Sequence, residues 1–152
     1  MALDIAAIRT AIAATVTTAL AATSYPANVV AREAMPGVAA LDAGVVEPGV
    51  AEYAGTFGAN GLATATFSLE MRAGTSGAST DPTIRMDVWR STNTAASVFD
   101  AINNSRTSSG SCGLSNVDVW CGDSAAPVLL GVDGQPAYWA CKFTIVARVM
   151  RG

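Results

Sequence analysis

Histidine is absent from this 152-residue chain, and lysine occurs once, as Lys142. Ser-His-Asp and Cys-His nucleophile systems, HExxH zinc sites and every imidazole general base are thereby excluded. Without a second lysine there is no GK[ST] step for a phosphate-binding loop. Charge of either sign is scarce, at 14% of residues, and the nine cations are outnumbered by twelve acids. No basic excess exists to neutralise a run of phosphates, so a sequence-independent grip on nucleic acid is not expected. Long apolar runs are missing as well. Asp4 and Arg9 interrupt the Ala-rich start, so neither a secretory signal core nor a membrane span is expected. Cysteine occurs three times, at 112, 121 and 141, an odd count with no CxxC pair, which fits neither a disulfide framework nor a structural zinc site. The three are read as reduced: Cys141 as a small core residue, and Cys112 as a free thiol in a Gly/Ser loop, with a Cys112–Cys121 bridge left open. The sequon Asn103-Asn104-Ser105 is short enough to arise by chance.

What is present is small and apolar. Hydrophobic residues make up 51%, and 30 Ala, 15 Thr and 12 Ser dominate the chain. A mean hydropathy of +0.36 excludes intrinsic disorder. The length suits one domain, taken as residues 1–152, with enough chain to bury a core. Ile5, Ile8, Ile12, Val16 and Leu20 recur at helical spacing behind Asp4, which predicts a helix over residues 4–22, ended by Tyr25-Pro26. Its other face is almost free of charge, and Ala13, Ala14 and Thr17 would let a second backbone approach. Dense Pro and Gly between 26 and 61 predict short strands, at 29–32 and 50–57. Over 62–72, Ala63, Ala65, Phe67, Leu69 and Met71 alternate with Thr64, Thr66, Ser68, Glu70 and Arg72, the period of a half-buried antiparallel strand. Asp81-Pro82 opens a helix to about Arg90, with Ile84, Val88 and Trp89 expected inward. A second helix is expected at 94–104 on Val98, Phe99 and Ile102. Residues 106–115 read as a loop with nothing to bury. Three strands follow: Val117 to Cys121, Val128 to Val132 running into an Asp133-Gly134 turn, and a long one from about Ala137 to Met150. The expected fold is α+β, a mostly antiparallel sheet with an N-terminal helix and two central helices packed against it.

Few residues suggest chemistry. Gly55, Gly58 and Gly61 lack the G-x-G turn of a dinucleotide site and read as turn glycines. Asp118 and Asp123 flank a strand end, where turn carboxylates are ordinary. No catalytic residue, cofactor or metal is therefore assigned. Trp120 lies on the face opposite Val119 and Cys121; it is either covered by a helix or exposed as a contact anchor. Thr64, Thr66, Ser68, Glu70 and Arg72 line either a subunit contact or a solvated sheet face. Thr75 and Ser76, with Ser108 and Ser109, belong to loops that either order on a neighbour or stay mobile. With enzyme and small-ligand binder disfavoured, assembly is the class left. Few charges, Ala/Thr/Ser on exposed faces and long strands suit a chain that covers its flanks with copies of itself.

The opening helix Leu3-Asp4-Ile5-Ala6-Ala7-Ile8-Arg9, the Pro26 to Val30 segment, the Val45-Val46-Glu47-Pro48 to Tyr53 to Thr56-Phe57-Gly58 stretch, the alternating strand, the two helices and the closing Tyr138-Trp139-Ala140-Cys141-Lys142-Phe143-Thr144-Ile145-Val146 strand resemble the tail terminator (tail completion) proteins of long-tailed bacteriophages. The resemblance is one of layout over nearly the whole chain and includes no catalytic signature. It implies a ring-forming subunit, six copies of which close on the head-proximal end of the tail tube. Such a ring ends tube polymerisation and offers a surface to the head–tail connector, with DNA only passing through its lumen. The partners implied are the chain itself, the tail tube protein and the connector, with no membrane; the location is the virion neck, after assembly in the bacterial cytoplasm. A head-completion or connector stopper protein, a tube subunit, and a monomeric binding domain remain the alternatives.

Overall fold

The structure, a computed structural model, describes residues 4–31, 42–53, 62–74, 81–131 and 137–149. Helix α1, Ile5–Ala21, starts on Asp4, whose carboxylate accepts the Ala7 N–H. Its expected stripe is the one that packs: Ile8, Ile12, Val16 and Leu20 are buried, joined by Ala13. The chain then forms β1 (Asn28–Val30), β2 (Ala43–Tyr53) and β3 (Leu62–Gly74). Helices α2 (Pro82–Arg90) and α3 (Val98–Asn103) follow, then β4 (Gly110–Ser111), β5 (Leu114–Ser115), β6 (Val117–Ser124), β7 (Val128–Leu130) and β8 (Tyr138–Val149).

The main sheet has the order β1-β2-β3-β8-β6, with β7 also on β8; only the β1–β2 pair is parallel. Strands β6 and β7 lie one after the other along the same side of β8, β6 against residues 143–149 and β7 against 138–140. A bulge beside Gly122 breaks the line between Cys121 and Asp123. The long pair β3–β8 is the middle of the sheet, in register from Thr64↔Arg148 to Gly74↔Tyr138. One parity of that pair is core: Ala65, Phe67, Leu69 and Met71 on β3, with Cys141, Phe143, Ile145 and Ala147 on β8. Val117, Val119 and Cys121 of β6 and Val46 of β2 continue the same face, and all three helices pack on it. Each of the larger side chains fully buried there contributes roughly 1.5–3 kcal/mol. The α+β architecture with helices against a mostly antiparallel sheet is thus the one expected.

Several local expectations are corrected. Strand β2 begins at Ala43, well before residue 50, and takes Pro48-Gly49 into its interior as a register shift between Glu47 and Val50. Residues 54–57 lie outside the described residues, as do Arg32 and the Asp133-Gly134 turn. Helix α2 begins on Asp81, whose carboxylate accepts the Thr83 N–H at 2.8 Å, but it turns a different face inward. Arg85, Met86 and Trp89 are buried, while Ile84 is 47% exposed and Val88 lies between. Arg85 wins the inward position through an ion pair with Asp42, Nε to Oδ2 2.8 Å, and a hydrogen bond to the Gly74 carbonyl. The second helix starts at Val98, capped by Ser97; Val98 and Ile102 are buried and Phe99 half-buried. Residues 106–115 do bury something. Gly110, Ser111 and Cys112 are covered, in a two-residue hairpin whose central Cys112 and Gly113 have φ of 52° and 74°, the turn that suits two tightly paired strands. Cys112 is therefore buried, and all three cysteines are free thiols.

Candidate interaction surface

The sheet face away from the helices carries most of the positions singled out in the sequence. On β3, Thr64, Thr66 and Ser68 are half-buried, as their alternation required. Across β8 and β6 the register sets them in rows: Thr64 with Arg148 and Asp118, Thr66 with Val146 and Trp120, Ser68 with Thr144 and Asp123. Thr64, Thr66 and Trp120 are thus brought onto one patch. Glu70 and Arg72 are not free for a partner in the same way. Glu70 is buried and accepts two hydrogen bonds from Arg72, at 3.0 and 2.8 Å, and Arg72 also lies over the Tyr138 ring, 4.8 Å from its centre.

Trp120 is half-buried on the sheet face opposite Val119 and Cys121. Two guanidiniums flank its indole: Arg148 at 5.2 Å and Arg106 at 5.9 Å. Asp118 holds both cations. Arg106 forks onto its carboxylate at 2.8 and 3.0 Å, and Arg148 reaches Oδ2 at 3.5 Å. The hydrogen bonds from Arg106 hold the Asp118 carboxyl below the usual carboxylate range. This carboxylate fastens the two cations to each other's side of the sheet. Asp123 is exposed and apart from it. Arg106 and Arg148, which sequence reading passed over, are 14 and 28 positions from Trp120; the β6–β8 register brings Arg148 there, and the connection after α3 brings Arg106.

Ser108 and Ser109 are exposed in the turn before β4; the Ser109 carbonyl accepts the Asn116 N–H at 2.7 Å, so the turn is closed within the chain. Thr75 and Ser76 lie outside the described residues. Burial raises the Cys121 thiol to about 11 and the Cys141 thiol to about 12, which leaves both protonated and unreactive at neutral pH. Among the described residues no group of His, Cys, Asp or Glu converges as a metal site, and no helix is long and apolar enough to cross a membrane.

A second surface was invisible in the sequence. Val128, Leu129 and Leu130, the whole of β7, are 51%, 54% and 37% exposed. Among the described residues most other large apolar side chains are in or against the core, with Val50 and Ile84 as scattered exceptions. Compared with protein-family models and with curated proteins, the chain matches none.

Proposed function

We propose that the protein is a structural subunit of a bacteriophage neck. It caps the head-proximal end of the tail tube as a six-membered homo-oligomeric ring, ends tube polymerisation and joins the tail to the head connector. The observation that carries this reading is the one-sided packing of the sheet. All helices pack on one face, while the other presents Thr, Ser and Val around Trp120 among charges that pair within the chain: Arg106 and Arg148 on Asp118, Arg72 on Glu70 and Lys142 on Glu47. Trp and Arg are the residues that most often anchor protein contacts, and a chain with only 14% charged residues suits burial of its faces against neighbouring subunits better than life as a free monomer. The element order that underlies the resemblance to tail terminators also supports it. No reaction is assigned, and DNA passes through the lumen without being gripped.

Electron microscopy of particles assembled without this protein tests the reading. Overlong or headless tails are the expected result. Tails of normal length attached to leaking heads would instead assign the protein to the stopper, and intact infectious particles would remove it from the neck altogether.

A further inference from the structure

Sheet edges carry unpaired backbone groups, and stable proteins blunt them with side chains, charges, prolines or bulges. This chain does so with unusual thoroughness, except at one place. At β1 the outward N–H and C=O of Val29 both bond the Thr17 hydroxyl of α1, at 2.9 and 3.2 Å. Where β2 runs beyond β1, Arg9 takes the Val46 carbonyl with two hydrogen bonds, and the remainder carries Glu47, Pro48, the bulge and Glu52. At β6 the outward N–H of Val119 bonds the Ser111 hydroxyl at 3.0 Å, and that of Cys121 bonds the Asn103 side-chain carbonyl at 3.2 Å. Strand β7 has neither cap nor charge, only its three-residue length and Pro127 just before it. It pairs with β8 on one side, and among the described residues nothing caps the other. The segment from Ser124 to Gly131 holds no charged residue, and the three side chains of the strand stand in solvent.

We propose that β7 is a strand-addition site and that its occupant is β7 of a second copy, paired antiparallel about a two-fold axis. An added strand must itself have an open edge and must bring no charge against Val128, Leu129 and Leu130. Among the described residues β7 alone meets both conditions, because the other edges of the main sheet are capped or charged. A patch that fits only itself makes an isologous contact, which closes after two copies. The pair adds no subunit to a ring and does not depend on the neck assignment; it is the state of the free protein.

Sedimentation equilibrium on the purified full chain tests the pairing. The expected mass is twice the 15.4 kDa of one chain. Leu129→Lys, which sets like charges opposite one another across the axis, weakens association at least tenfold while leaving the circular dichroism spectrum unchanged. A Leu129→Cys variant treated with diamide links into a covalent dimer, whereas the wild type, with its three thiols buried, does not. A monomer up to several hundred micromolar overturns the proposal, as does a dimer indifferent to Leu129→Lys. A six-copy particle indifferent to that change would overturn it too, while leaving the ring reading in place.

Discussion

Thr17 satisfies two backbone groups of Val29 with one hydroxyl, and the site is half-buried, so no bulk water replaces it cheaply. Thr17→Val keeps the shape and removes both hydrogen bonds. A loss of about 1–3 kcal/mol is expected in urea unfolding, the range for leaving covered polar groups unpaired. A change below about 0.5 kcal/mol, typical of a neutral surface substitution, would show that solvent serves the Val29 edge equally well. Asp118 supports a test of a different kind. Its carboxyl is lowered in the folded protein, principally by the hydrogen bonds from Arg106. A depressed folded value means that the stabilisation is complete above the unfolded value, near 3.8, and fades as pH falls below it. Asp118→Asn should therefore be less stable than wild type at pH 7, and the difference should narrow as the pH is taken below about 4. Parallel stability curves for the two proteins down to pH 2 would mean that Arg106 and Asp118 do not hold one another in solution.

Among the elements, β2 shows how a strand tolerates residues that usually end one. Pro48 supplies no N–H, and Gly49 lies so close to β3 that a β-carbon there would sit 1.4 Å from the Thr66 carbonyl oxygen. The register shift between Glu47 and Val50 depends on that approach. Gly49→Ala must push the strands apart and should cost at least about 2 kcal/mol, the scale of overpacking against unyielding backbone. The bulge in β6 provides the control, since a β-carbon at Gly122 would meet nothing nearer than the Thr144 carbonyl at 3.8 Å. Gly122→Ala should then leave the thermal midpoint nearly unchanged. Equal midpoint shifts for both variants would contradict the close approach at Gly49.

At the scale of the molecule, the sheet's centre was legible because β3 and β8 are each half-covered, and one-sided burial writes a period of two into the sequence. The start of β2 was not legible, since Gly44, Pro48 and Gly49 carry the composition of turns and only their packing makes them strand. The inward face of α2 was misread for a related reason: Arg85 is charged by composition but buried by partnership. For the surface, the parity of Trp120 could be read, but not its arginine flanks: Arg148 arrives through pairing across strands and Arg106 from the connection after α3. The exposure of β7 could not be read at all, because an apolar run looks the same in a core and on an edge.

The Asp42–Arg85 pair also joins the layers, tying the start of β2 and the end of β3 to α2: Asp42 accepts the Gly74 N–H while Arg85 bonds the Gly74 carbonyl. Burial raises the Asp42 carboxyl even with Arg85 beside it, so the ionised pair stands against its own desolvation. Removing one partner exposes that cost. Arg85→Met should destabilise by on the order of 3 kcal/mol at pH 7, because a covered carboxylate loses its counter-charge. With a folded value raised above the unfolded one, the neutral acid favours folding below about 3.8, and that benefit disappears as pH rises through the folded value. The deficit of Arg85→Met should accordingly be larger at pH 7 than at pH 4. Adding Asp42→Asn removes the stranded charge, so the double variant should recover part of the loss at pH 7. If instead the two losses simply add, the pair does not act as one clamp, and α2 must be held to the sheet by Met86 and Trp89 alone.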